Sequence, residues 1–250
     1  MSVSIVLVGI SHPGNIGSAA RAMKTMGLDR LRLVAPERFP ATEATVMAAG
    51  ADDVLQKARV YPDVRSAVAD CGLLVGTTSR ARHLPWRVVE PREAALEIAA
   101  ASATSEVAIL FGAERSGLSN DDIEHFQLLL GIPTGTVYTS LNVAMAVQIV
   151  AYEVLLATRG EEAALAARGV ALASATDMQL FYEHLEQVLE EIDFRDRYGE
   201  RHLMARIRRL FNRALLDQNE VNILRGILTS VQGKRRRAGE PHAPRDEGQS

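Results

Sequence analysis

Ser4-Ile5-Val6-Leu7-Val8-Gly9-Ile10, followed a few residues later by Asn15-Ile16-Gly17-Ser18-Ala19-Ala20-Arg21, decides the architecture of this chain. The first stretch is an apolar run of strand length. In the second, Ile16, Ala19 and Ala20, continued by Met23 and Met26, share one face of a helix. Asn15 is suited to cap that helix, and Gly27 to stop it in the left-handed conformation. The same alternation continues to about Thr158. Strands read near 4–10, 31–35, 72–76, 107–112 and 128–132, with a weaker one around 58–60, and helices near 16–26, 42–49, 63–70, 91–101, 119–126 and 139–158. Such repeated βαβ units predict an α/β fold with a mostly parallel sheet flanked by helices. Ser119 with Asp122 predicts a capping box on the helix after Leu118.

Past this first unit, 1–158, the pattern changes. Residues 159–174 are rich in Ala, Gly and Glu and read as a connector. Apolar residues return at helical spacing over 176–193, 200–214 and 218–232, so 175–232 is read as a small helical extension. Residues 233–250 mix Gly, Pro and charge without periodicity and are read as a disordered basic tail.

With 250 residues, 47% of them hydrophobic, the chain can bury the core of one large domain plus an extension. The lone cysteine, Cys71, falls inside an apolar run, which excludes a disulfide framework and a thiolate zinc cluster and points to a buried thiol. The N-terminus lacks the basic-then-apolar pattern of a secretory signal, and no stretch is apolar enough to span a bilayer. A cytoplasmic protein without a membrane partner is expected. The net charge of -3 argues against indiscriminate nucleic-acid binding by the whole chain. Arg195, Arg197, Arg201, Arg206, Arg208, Arg209 and Arg213 nevertheless lie close together, and Lys234-Arg235-Arg236-Arg237 follows. A solvated helix face is the commoner fate of such runs, but an RNA ligand would give them phosphates to hold.

Four loops at strand ends hold the polar residues that could do chemistry, the usual place for a ligand in an open α/β sheet. Gly9 to Gly14 precedes the first helix. Its spacing fits neither the dinucleotide fingerprint nor a P-loop, which disfavours a nicotinamide oxidoreductase, although an RNA phosphate or ribose could bind there. On spacing alone, Arg21 reads as a solvated helix arginine. Gly76-Thr77-Thr78-Ser79 leads into Arg80, Arg82, His83 and Trp86, a polar loop with a basic, aromatic edge. Phe111-Gly112-Ala113-Glu114-Arg115-Ser116-Gly117-Leu118 ends another strand, where Gly112 allows a tight turn or close approach to a ligand and Glu114 could be a surface charge. Ile132-Pro133-Thr134-Gly135 runs on to Ser140-Leu141-Asn142-Val143-Ala144, whose Ser140 or Asn142 could singly be helix caps.

Taken together, Asn-x-Gly-x-x-x-Arg at 15–21, Phe-Gly-x-Glu-x-x-Gly-Leu at 111–118 and Ser-Leu-Asn-Val-Ala at 140–144 resemble the three motifs of the SpoU branch of the SPOUT RNA methyltransferases. His12-Pro13-Gly14, the stretch 76–86 and Asn222-Ile223-Leu224-Arg225-Gly226-Ile227-Leu228 resemble the members that methylate the ribose at position 32 of the tRNA anticodon loop. Those members often carry arginine where this chain has Ala113. The resemblance implies a C-terminal trefoil knot in the catalytic domain, S-adenosylmethionine as methyl donor, no metal, tRNA as substrate and a homodimer. It implies catalytic roles for Asn15, Arg21, Glu114, Ser140 and Asn142. Thr77, Thr78, Ser79, Gly112, Ile132, Ser140, Leu141 and Asn142 would hold the donor, and Arg21, Arg80, Arg82, Arg206, Arg209 and Arg213 the RNA. An arginine is a poor base because its pKa lies above about 12, so Arg21 is better read as a clamp on phosphate and forming alkoxide. Another tRNA or rRNA ribose as target, or RNA binding without catalysis, are the competing readings.

Overall fold

Seven strands, all parallel, form one sheet in the order β3-β2-β1-β6-β4-β7-β5. They are β1 (Val3–Val8), β2 (Arg30–Val34), β3 (Arg59–Tyr61), β4 (Cys71–Thr77), β5 (Val88–Val89), β6 (Glu106–Phe111) and β7 (Leu128–Leu130). The computed structural model describes residues 2–79, 87–137, 139–159, 171–194 and 200–239, with the backbone alone at 200–202 and 234–239. The expected α/β architecture is present. β5, two residues long on the sheet edge, is too short to leave a periodic signal in the sequence.

Helices cover both faces of the sheet. α1 (Pro13–Thr25), α2 (Thr42–Ala48), α3 (Asp52–Lys57), α5 (Pro91–Ser102) and α7 (Val143–Arg159) pack their apolar residues against Ile5, Leu7, Leu31, Leu33, Val75 and Ile109. The opposite face, with Val6, Leu74, Ala108 and Leu110, is covered by α4 (Val64–Val68), α6 (Asn120–Ile123) and the ring of Phe126. Gly76 makes room for that ring, since a Cβ there would stand 2.3 Å from it. The helix read at 42–49 is α2, whereas α3 is an element the sequence reading does not contain. Left-handed Ala49 and Gly50 break the helix between them.

Two helix starts differ from expectation in a way that matters for the site. α1 begins at Pro13, whose fixed φ suits the first helical position, with His12 at the N-cap. Asn15 therefore lies in the first turn and its amide is free for other partners. α7 begins at Val143 rather than 139. Asn142 caps it, the side-chain Oδ1 accepting from Ala144 N at 2.9 Å and the carbonyl from Ala146 N at 3.0 Å. The capping box of Ser119 and Asp122 forms as expected.

The C-terminal unit consists of α8 (Ala175–Glu191), α9 (Glu200–Ala214) and α10 (Gln218–Gly239), around Met178, Phe181, Tyr182, Val188, Val221 and Leu228. Most of the expected connector lies outside the described residues. Its end is anchored where Leu172 N donates to Ser105 Oγ at 2.8 Å. Buried Asn212 ties α9 to the first domain by donating to the carbonyls of Glu124 (3.2 Å) and Phe126 (3.3 Å) while accepting from Tyr182 Oη at 2.6 Å. Both its N–H groups and its oxygen have partners, as burial of an amide requires. α10 continues six residues past Gly233, where disorder was expected. Its Lys-Arg-Arg-Arg run consists of residues with good helix propensity. Residues 240–250 lie outside the described residues.

Arg32, nearly buried on β2, donates to both oxygens of Asp70 (2.5 and 2.9 Å) and to Ala67 O at 2.6 Å. Beside it, burial pushes the Cys71 thiol up to about 12 against the opposing pull of Arg32, so the thiol stays protonated, as a core residue should. No helix of the described residues is long and apolar enough to cross a membrane.

Candidate active site

The loops after β4, β6 and β7 close around a cavity of about 330 Å³ at the C-terminal edge of the sheet. Thr77, Thr78, Ser79, Gly112, Ile132, Ser140 and Leu141, expected to hold the donor, all line it. Thr77 faces inward to the sheet with its hydroxyl, which donates to Leu110 O at 2.9 Å. Thr78 N donates to Leu130 O at 2.9 Å, which fixes the loop's departure from β4 against β7. Gly112 is required by the loop's own backbone. A Cβ there would stand 2.1 Å from Gly117 C and 2.2 Å from Leu118 N. Gly117, at φ +69, turns that backbone round and donates its N–H to Ala113 O at 2.9 Å.

This cavity fits S-adenosylmethionine in size and chemistry. Its volume lies at the lower end of the range of roughly 300–1,000 Å³ for small-molecule sites. Leu118, Ile132, Leu141 and Val143 line it with apolar surface and Ser79, Thr139 and Ser140 with hydroxyls, the mix that a ligand with an aromatic base and polar edges requires.

The three motifs meet beside the cavity in a directed set of hydrogen bonds. Asn142 Nδ2 donates to Asn15 Oδ1 at 2.9 Å, and Asn15 Nδ2 donates to Glu114 Oε1 at 2.8 Å. Glu114 Oε1 also accepts from His12 N (3.4 Å), while Oε2 accepts from Ser11 N and Ser11 Oγ, both at 3.2 Å. Each amide has a single possible orientation. An ionised carboxylate only accepts, so Asn15 must turn its NH₂ to Glu114 and its oxygen to Asn142, whose own oxygen is left for the α7 cap. Partial burial opposes the charge on Glu114, yet the bond from Asn15 and the amides of Ser11 and His12 outweigh it and hold the carboxyl below its ordinary range. Asn15 and Asn142 thus stand next to the cavity wall rather than in it.

Gly17, the fixed glycine of the first motif, is where α1 crosses α2. A Cβ there would stand 2.0 Å from Ala44 O. One turn further, Arg21 is exposed on α1, where its side chain makes no hydrogen bond or ion pair among the described residues. On α9, Arg206, Arg209 and Arg213 fall three and four residues apart, on one helix face. Arg208 points elsewhere, over the Tyr182 ring at 4.6 Å and to Gln179 Oε1 at 3.1 Å, and helps seat α9. Arg80 and Arg82 lie outside the described residues. Ser11 and Asn212 went unnoticed in the sequence, where a serine in a loop and an asparagine in a basic helix carry no distinguishing signal.

A parallel α/β sheet whose strand-end loops bring these three motifs together around a small-molecule cavity defines the class, and the chain belongs to the SpoU rRNA methylase family, whose model matches residues 2–152. It is a methyltransferase that uses S-adenosylmethionine. The C-terminal helices narrow the relationship, because residues 176–242 match the C-terminal domain of the tRNA methyltransferase TrmJ. The chain is 46% identical over 234 residues to the tRNA (cytidine/uridine-2'-O-)-methyltransferase TrmJ of Sodalis glossinidius, covering 92% of this chain and 91% of the relative. It is 43% identical over 240 residues to the tRNA (cytidine/uridine/adenosine-2'-O-)-methyltransferase TrmJ of Pseudomonas aeruginosa, covering 92% and 93%. Among solved structures it resembles TrmJ from Z. mobilis ZM4, with a TM-score of 0.78 at 35% identity, over 93% of this chain and 100% of that one.

Proposed function

We propose that this protein methylates the ribose 2′-oxygen of the nucleotide at position 32 of the tRNA anticodon loop, cytidine or uridine, in the cytoplasm. The observation that carries this reading is the likeness to TrmJ enzymes in both parts of the chain, catalytic and C-terminal, at 46% identity.

When bound, S-adenosylmethionine supplies an electrophilic methyl group. The chain's own residues position the hydroxyl that attacks it. Arg21, exposed and permanently charged, clamps an RNA phosphate and stabilises the developing negative charge on the ribose oxygen. Glu114 is a poor candidate for the base, since each of its oxygens already accepts two donors and its lowered pKa weakens it as a proton acceptor. It serves as the fixed acceptor on which Ser11, His12 and Asn15 are arranged, and the ribose proton leaves to water. Ser140 positions the donor, and Asn142 sets Asn15. The loop from Ile132 to Asn142 is read as part of a trefoil knot, for which the placement of β4 between β6 and β7 is compatible.

Arg206, Arg209 and Arg213 hold the tRNA backbone away from the reacting ribose. On α7, Met145, Ile149, Tyr152 and Leu156 expose an apolar stripe at spacings of four, three and four, continued by Leu141 from the cavity loop. A second copy of the chain covers this stripe in the homodimer we propose.

The test is transfer of labelled methyl from S-adenosylmethionine to unmodified tRNA transcripts, with the modified nucleotide mapped. Methylation at the 2′-oxygen of position 32 is the expected result. Donor binding without transfer to any tRNA would move the substrate to another RNA.

A further inference from the structure

Glu114 takes its hydrogen bonds from three residues of the loop and first turn after β1, and two of them, Ser11 and His12, lie outside the three motifs; of these only Ser11 uses its side chain. Ser11 donates twice to Oε2, from its backbone N and from its hydroxyl, each at 3.2 Å. Asn15 and His12 use the other oxygen, Oε1. The carboxylate is thereby held at both ends. Without the hydroxyl, Oε2 keeps only the bond from Ser11 N, so the carboxylate is held less tightly about its Cγ–Cδ bond, and with it the Asn15 amide that Glu114 orders from one side.

The backbone prepares Ser11 for this task. Gly9, at φ +62, donates its N–H to Val34 O at 2.9 Å, and Ile10 buries its side chain while its carbonyl accepts from Glu37 N at 3.1 Å. The loop is pinned to β2 and the segment after it, so Ser11 is presented to Glu114 by a fixed frame. At the same place the second-motif loop comes close enough that a Cβ on Gly9 would meet the Ala113 Cβ at 3.6 Å.

We propose that Ser11 is a positioning residue for methyl transfer: its hydroxyl fixes the Glu114 carboxylate, and through it Asn15, for the reacting ribose. This rests on the reading of the site as a ribose methyltransferase centre. It distinguishes Ser11 from residues that merely shape the loop, because the effect passes through Glu114.

A double-mutant cycle tests it, with methyl transfer to a tRNA transcript as the assay. Ser11→Ala should lower kcat about tenfold, as loss of a hydrogen bond to a charged group implies, with little change in KM for the tRNA. Ser11→Thr, which keeps the hydroxyl, should restore most of the rate. In a Glu114→Gln background, Ser11→Ala should add little, since its target is already altered. Losses that multiply in the double variant, a Ser11→Ala enzyme as fast as wild type, or a loss Thr cannot rescue would each overturn the proposal. If the wild-type chain transfers no methyl to RNA, the reading of the site fails instead. Calorimetric binding of S-adenosylmethionine to the variants shows separately that the donor cavity is intact.

Discussion

Asn142 Nδ2 stands 2.9 Å from Asn15 Oδ1, joining residues 127 positions apart in the chain. Through this bond the N-terminus of α7, which follows a loop lining the cavity, is tied to the first turn of α1. Neither helix alone fixes the orientation of Asn15. Ionised Glu114 does so from one side and Asn142 from the other.

Asn142 therefore has two tasks that substitution can separate. Asn142→Ala removes both, and should cost about 1 kcal/mol of stability through the lost cap together with most of the methyl transfer. Asn142→Asp keeps an acceptor for Ala144 N but brings an acceptor against Asn15 Oδ1 and a second negative charge toward Glu114. Its melting temperature should stay close to wild type while kcat falls, a split that thermal denaturation and a single-turnover methylation assay will show.

Glu114 predicts a pH dependence of stability. Its folded pKa lies below the ordinary 4.5, so the carboxylate binds a proton less readily folded than unfolded. Its contribution is complete above the unfolded pKa and is lost as pH falls through the lower folded value. Urea titrations of wild type and Glu114→Gln should give a constant difference in midpoint from pH 8 to about 5, narrowing below that. A difference that grew as the pH fell would contradict the assignment.

How much of this was legible in the sequence depended on whether the signal was local. The buried strands and the long helices announce themselves by apolar runs and by 3.6-residue periodicity, and the Ser119–Asp122 box by adjacent residues. The two-residue strand β5 and the six-residue helix α3 are too short for a period to reveal them, although the helix end at Ala49 agrees with the reading of 42–49. Asn15 illustrates the limit best. As a side chain before an apolar face it reads as a cap, but Pro13 starts the helix two residues earlier and releases the amide to partners 99 and 127 residues away. Ser11 was invisible for the same reason, since only the fold brings Glu114 to it.

Gly17 shows the same separation between what is local and what is not. By helix propensity alone, Gly17→Ala should stabilise α1 by about 1 kcal/mol. The new Cβ would stand 2.0 Å from Ala44 O and 3.0 Å from Ala48 N, and a backbone carbonyl cannot rotate away as a side chain can. Overpacking of about 1–3 kcal/mol should outweigh the gain, so the variant melts lower, not higher. Because α1 carries Asn15 and Arg21, methyl transfer should drop further than stability, which activity measured well below the melting transition will separate.

The α7 stripe gives the homodimer a direct test. Met145, at 62% exposed, and Leu156, at 45%, mark its two ends, and only the Met145 end adjoins the donor loop. Leu156 lies more than three turns beyond Asn142, so a charge placed there leaves the hydrogen bonds of the site untouched. Leu156→Glu buries a carboxylate without a partner when two copies of the stripe meet, yet remains solvated in the single chain. Light scattering should find wild type at twice the chain mass and Leu156→Glu at the chain mass, with its melting curve still cooperative. Where the second copy completes the RNA-binding surface around each cavity, the monomer should lose methyl transfer about tenfold or more while keeping its affinity for S-adenosylmethionine. A fully active monomer would place the whole reaction within one chain.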